Sequence, residues 1–300
     1  MNIFKRFFVL ALVLVLGMSL ILTGCQDSQK PDKEKEDNVQ KKEKVKFAVG
    51  NWAEGIALSN LAKAILEEKM GYEVEVTIAE PGLIYTSIAQ GEYDAFLDSW
   101  LPVTHDSYLE KFGDKIEKLG TNYEGARIGL VVPEYVDIDS IEEMNSVKDE
   151  FNGEIVGIGS GAGIMKKTEK SIKEYNLDYE LVESSGPVMT AKLADAISNK
   201  EPVIVTGWKP HWKFARYDLK FLKDPKKIYG ETEDIYNIVR KGFKEDNPEV
   251  ALFLENLKLN DKELGSLMGM IADSDKEADE VAKEWIKENE KLVESFIPEK

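Results

Sequence analysis

Hydrophobic residues form one unbroken run, residues 7–22, and then almost vanish across residues 26–44. From Val45 onward they follow alternating rhythms. Residues 45–49 read as a strand. Leu58, Leu61, Ala62, Ile65 and Leu66 keep the i, i+3, i+4, i+7, i+8 spacing of one buried face, which predicts a helix over 55–69. Gly71 is placed to end it in the left-handed conformation. Val74, Val76 and Ile78 alternate as a half-buried strand over 72–78. A helix over 83–90 stops at Gly91, and a strand over 95–97 follows. Strand-helix-strand order of this kind favours a parallel sheet.

The rhythm then repeats. A short helical stretch is expected near 106–112 and a long apolar strand over 126–132. A helix near 141–149 leads to a strand at 155–158, a helix over 163–175, a strand at 179–183, a helix over 189–199 and a strand at 203–206. Ile235 to Arg240 read as a further extended segment. The remainder reads as helical, with Asn247-Pro248 as an N-cap and N1 pair and Ser274-x-x-Glu277 as a capping box for a last helix reaching Phe296. Two α/β units joined by two crossing segments predict two lobes: residues 45–130 with 238–300, and residues 131–237.

Three of the five tryptophans sit just past apolar strands, at Trp52, Trp100 and Trp208. The strand at 155–158 runs instead into Gly159-Ser160-Gly161-Ala162-Gly163 and a helix. Ligands in open α/β sheets collect outside the carboxyl ends of strands. Indoles attract cations, and helix N-termini attract anions. Together these features predict a pocket for a small molecule carrying a diffuse cation and a carboxylate. The indoles would box the cation, and the free N–H groups of Gly163 and Ile164 would face the carboxylate. His105, five residues after Trp100, is a candidate donor to the same group. Each feature also has a plainer reading: a core indole, an ordinary strand-to-helix turn, a surface histidine. Trp285 and His211 are expected to be structural, and Trp212 either lines the pocket or supports its loop.

Charge narrows the field. The formal net charge is −17, and removing Lys5 and Arg6 with residues 1–24 makes it two units more negative. A broad nucleic-acid surface is excluded. The only cysteine, Cys25, permits no intrachain disulfide, and two histidines leave little for a Cys/His metal site. No cofactor and no metal are expected. The glycine-rich turn is neither a P-loop nor a dinucleotide fingerprint, because Gly163 is followed by Ile164 and no frame supplies G-x-G-x-x-G. A surface hydrolase lacks support too, for no G-x-S-x-G elbow is present.

At the start, Lys5 and Arg6 precede the apolar run, which ends at Leu22-Thr23-Gly24-Cys25. This resembles the bacterial lipobox, in which the cysteine is acylated and becomes the new N-terminus. The expectation is a signal peptide at 1–24, a lipid-bearing Cys25, and a polar tether over 25–44 too poor in apolar side chains to fold.

The segments Asn51-Trp52-Ala53-Glu54, Ser99-Trp100-Leu101-Pro102-Val103-Thr104-His105, Gly129-Leu130-Val131-Val132-Pro133, Gly161-Ala162-Gly163-Ile164-Met165 and Thr206-Gly207-Trp208-Lys209-Pro210-His211-Trp212 together resemble the glycine betaine/proline betaine-binding lipoproteins of bacterial ABC importers. The resemblance covers residues 45–296. It implies an α/β, two-lobed periplasmic-binding-protein fold of type II, with two crossing segments and the ligand in the cleft between lobes. It implies that Trp52, Trp100 and Trp208 surround the trimethylammonium group, and that the amides of Gly163 and Ile164 with His105 hold the carboxylate. Some relatives are circularly permuted; the order here is the unpermuted one. The implied partners are a betaine, an ABC permease with its ATPase subunit, and the membrane through the lipid anchor. The protein itself would be a monomer on the extracytoplasmic face and no enzyme. Choline or carnitine is the alternative ligand.

Overall fold

The computed structural model describes residues 44–299. Cys25, the signal peptide and the tether expected from the sequence lie outside the described residues. Among the described residues no helix is long and apolar enough to cross a membrane.

The first elements follow the apolar rhythm closely. Strand β1 (Lys44–Val49) leads through Gly50 and Asn51 into helix α1 (Ala53–Glu68), whose Leu58, Leu61, Ala62, Ile65 and Leu66 are all buried. Strand β2 (Glu73–Ile78), helix α2 (Pro81–Gln90) and strand β3 (Ala95–Leu101) come next. Gly91 caps α2 in the left-handed conformation (φ +75°), which costs a glycine little. Helix α3 (Asp106–Phe112) and a short 3-10 turn lead into β4, Ile116–Pro133, an 18-residue strand. Only its second half was expected, because Glu117, Lys118, Gly120 and Gly125 break the apolar pattern of the first.

A 3-10 segment, Ile141–Phe151, replaces the helix expected near 141–149. It opens on a Ser140/Glu143 capping box and is interrupted by non-helical backbone at Val147. Then come β5 (Glu154–Val156), α4 (Gly163–Glu174), β6 (Glu180–Val182), α5 (Gly186–Asn199), β7 (Val205–Lys209), the single-turn α6 (Lys213–Arg216), β8 (Leu219–Phe221) and β9 (Glu233–Arg240). Helices α7 (Phe243–Asp246), α8 (Pro248–Asn256), α9 (Asp261–Ala272), α10 (Ala278–Glu288) and α11 (Glu290–Phe296) follow. The expected last helix is thus two helices, broken at Asn289, whose side-chain amide donates to the Trp285 carbonyl. The expected Ser274/Glu277 capping box does not form. Ser274 Oγ instead accepts from the Lys276 amide.

The strands run in the order β2-β1-β3-β9-β4-β7-β5-β6, with β8 paired to β4. The strands of the first unit are parallel, as expected, within a sheet that is mixed as a whole. β1 lies parallel to β2 and β3, and β5 parallel to β6 and β7, but β9 and β4 run antiparallel to their neighbours. β4 changes partner along its length. Ile116 to Ala126 pair with β9, and Arg127 to Val131 pair with β7. All pairs of β9 lie with β3 and the first half of β4, so residues 222–232 carry the chain back. Helix α1 packs against α9 and α10, and Trp285 on α10 is fully buried there, as its expected packing role requires.

Candidate functional site

Strand ends from both halves of this sheet converge on one small cavity of about 30 Å³, lined by Trp52, Glu54, Trp100, Thr104, His105, Ile128, Ile158, Ala162, Gly163, Ile164 and Trp208. The six residues singled out from the sequence therefore line the same space. Trp212 does not. It packs against His211 and the Arg216 guanidinium, outside the cavity.

Each indole is positioned by local backbone. Trp52 is the N-cap residue of α1, and its ring folds back over Gly50, where an added Cβ would lie 2.5 Å from the ring. Trp100 is the penultimate residue of β3 and Trp208 that of β7; both are buried. Both are followed by a residue and a cis proline, Pro102 and Pro210. Trp100 Nε1 donates to Asp98 Oδ1 at 2.7 Å, and Trp208 Nε1 donates to Glu54 Oε2 at 2.8 Å. The second bond joins α1, which connects β1 to β2, to β7 in the other half of the strand order. With their only donors engaged, these two rings offer the cavity π faces and hydrocarbon.

The same cavity is also lined by hydrogen-bond donors. Gly163 and Ile164 are the first two residues of α4, whose leading amides have no acceptor within the helix. His105 is buried, and its Nδ1 accepts from the Trp100 amide at 3.0 Å. That bond assigns the remaining proton to Nε2, leaving a donor. Burial, with Lys166 adding to it, pushes the imidazole down to about 3, so the ring is neutral at ordinary pH. His105 also stacks on Trp52, with centroids 5.8 Å apart. His211 accepts from the Lys213 amide and lies edge-on to Trp208, a supporting position.

The loop between Trp100 and His105 is held from β9. Glu233 accepts from the amides of Val103 and Thr104, and from the Thr104 hydroxyl. Thr104 in turn presses its carbonyl against Gly163, where an added Cβ would sit 2.0 Å from the oxygen.

Residues 43–288 match the family described as the substrate-binding domain of the ABC-type glycine betaine transport system. The chain belongs to this family. It is a family of binding proteins, not of enzymes. One relative, a glycine betaine/carnitine transport binding protein of Listeria monocytogenes, is 44% identical over 144 residues, 47% of this chain and 48% of the relative. The match thus spans about half the length of that curated relative. The solved lactococcal OpuAC, closed and complexed with glycine betaine, is 36% identical with a TM-score of 0.81, covering 86% of this chain and 100% of that one. A choline-binding ABC-transporter protein in complex with choline is 26% identical with a TM-score of 0.78, covering 84% of this chain and 91% of that one. The fold is the mixed α/β periplasmic-binding-protein fold.

In this family member, sequence reasoning passed over four residues that support the site: Glu54, Asp98, Lys213 and Glu233. Glu54 looked like an ordinary acid in a first helical turn, and Asp98 like a polar neighbour of Trp100. A hint was present. An acid two residues before or after a pocket tryptophan is a ready acceptor for an indole N–H, as Asp98 is for Trp100.

Proposed function

We propose that the chain is the extracytoplasmic substrate-binding subunit of an ABC importer, and that it binds glycine betaine together with proline betaine. One observation carries this reading. One small cavity is lined by three indoles and also by a helix N-terminus and a neutral histidine donor. A quaternary ammonium cannot donate hydrogen bonds, so aromatic faces suit it. A carboxylate suits the N-terminus of α4 and His105 Nε2–H. Glycine betaine is the small molecule that carries both groups one methylene apart.

In this reading Trp52, Trp100 and His105 belong to one lobe (45–130 with 238–300), and Trp208, Gly163 and Ile164 to the other (131–237). The partner change along β4 supports such a division. A ligand touching both sides stabilises the closed form by its differential affinity for it. A permease, driven by its ATPase subunit, then reads closure. The lipid anchor at Cys25 completes the proposal, and loss of acyl labelling in Cys25→Ala tests it.

Tryptophan fluorescence titrations with glycine betaine, proline betaine, carnitine and choline test the ligand. Glycine betaine is expected to bind most tightly; choline binding as well or better would overturn the anion half of the site. Choline has one observation behind it, the choline-bound relative at 26% identity. Against it, choline leaves Gly163, Ile164 and His105 without a carboxylate. His105→Ala is accordingly expected to weaken glycine betaine by about tenfold or more, since a hydrogen bond to a charged group contributes roughly 1.5–3 kcal/mol, and to weaken choline less, by what the lost contacts with Trp52 and the Trp100 amide cost the cage. Equal losses for both ligands would remove His105 from the carboxylate's neighbourhood.

A further inference from the structure

Three ionisable side chains lie directly behind the indoles, and the anion and cation grips use none of them. Glu54 comes from α1, Asp98 from β3 and Lys213 from α6, and all three are buried. Glu54 also lines the cavity. Asp98 Oδ2 has no hydrogen-bond partner, and neither does Lys213 Nζ. Gly55 gives Asp98 its room, since an added Cβ there would lie 2.5 Å from Oδ2. Lys213 Nζ sits 4.1 Å from the Trp208 ring centroid, against one face of a cage indole, and 5.4 Å from that of Phe214.

Other charges lie nearby: Lys209 Nζ sits 4.7 Å from the Phe214 ring that Lys213 also faces, and Lys166 and Asp106 act on His105. His211, beside Lys213, is held well below its usual range by burial and by that ammonium. His105 is neutral. The Tyr85 hydroxyl of α2, bonded to Ser99 Oγ at 2.6 Å, is raised by burial and stays protonated. Tyr108 is likewise raised by burial. Glu233 is spent on the Thr104 loop. Apart from His211, the ionisable groups in direct contact with the Trp100 and Trp208 rings are Asp98, Glu54 and Lys213.

A carboxylate accepting from an indole N–H polarises the ring toward the cation on its face. An ammonium stacked on that ring opposes it. A permanent cation entering the cage therefore favours ionised carboxylates and a neutral amine, and each of those changes sheds a proton.

We propose that Glu54, Asp98 and Lys213 determine the specificity of the cage for a permanent positive charge over an uncharged group of the same shape, and that seating the cation releases a proton from this cluster to solvent. The inference rests on the betaine reading. No bond in the ligand changes; the proton leaves a carboxyl or ammonium group and goes to bulk buffer. Burial raises Glu54 and lowers Lys213, and burial with the nearby Glu54 raises Asp98, so the ordinary gap between carboxyl and ammonium narrows and a proton can be exchanged between their usual ranges. Binding that releases protons strengthens as pH rises, by at most about tenfold per pH unit for each proton released.

Calorimetry of glycine betaine binding near neutral pH, in two buffers of different ionisation enthalpy, counts the protons. Heats that differ between buffers, in the sense of release, are expected for the unaltered protein, and the difference should shrink in Glu54→Gln and Lys213→Met. The second probe is 3,3-dimethylbutanoate, which has the shape and carboxylate of glycine betaine but no positive charge. It should bind without releasing protons, and its affinity deficit relative to glycine betaine should narrow about tenfold in Glu54→Gln. Identical heats in both buffers with the unaltered protein overturn the inference without any variant having to fold. An unchanged deficit in a folded Glu54→Gln overturns the specificity role. Failure of glycine betaine to bind at all would instead sink the proposed function.

Discussion

Gly163→Ala is expected to weaken betaine binding by about five- to more than a hundredfold while leaving the ligand-free protein folded. The added methyl would lie 2.0 Å from the Thr104 carbonyl oxygen and 2.7 Å from its Cγ2. Thr104 cannot easily retreat. Its amide, its hydroxyl and the Val103 amide are all tied to Glu233 on β9. Overpacking of this kind costs roughly 1–3 kcal/mol, which gives the fold-change above if the contact exists only when the cleft is closed. Calorimetry measures the loss, and a thermal melt without ligand shows whether the fold survived. An affinity within about twofold of the original would mean that Gly163 and Thr104 do not meet in the bound state.

Trp100→Ala is expected to cost about tenfold or more in affinity, because one desolvated cation–π contact is worth about 2 kcal/mol. It should also lower the melting temperature. Removing the indole strips Asp98 Oδ1 of its donor, in a side chain whose other oxygen already lacks one. Trp52→Ala should lose affinity on the same scale with a smaller loss of stability, for Trp52 is only half-buried and holds no buried carboxylate. If the two substitutions lowered affinity and melting temperature equally, the supporting role assigned to Asp98 would be wrong. Unchanged affinity in both would remove the indoles from the cation site.

The indoles were legible because each follows an apolar run that can only be a buried strand, so topology delivers it to a strand end. Gly163 and Ile164 were legible for the same reason, one turn later. What hid was whatever depends on a partner distant in sequence. The first half of β4 is polar and glycine-bearing, and is a strand because β9 pairs with it through shifts in register. Glu233 meets Thr104 across 129 residues, and Glu54 meets Trp208 across 154. Local spacing carries no trace of such contacts. The 3-10 segment at Ile141–Phe151 and the break at Asn289 were missed differently, since both lie in windows whose apolar spacing is still helical.

The path of β4 and β9 also bears on the order in which the protein acquires structure. Elements β5 to β8 form a contiguous stretch that pairs with itself and with the second half of β4. That stretch holds everything it needs once residue 221 is available. The other half does not. β3 has no antiparallel neighbour until β9 arrives, and α1, which packs on β1, β2 and β3, lacks its outer cover until α9 and α10 are made. Contacts of such long sequence separation form slowly. The second half should therefore gain protection from hydrogen exchange first during refolding, with Trp208 ordered while Trp52 and Trp100 still wait for the end of the chain.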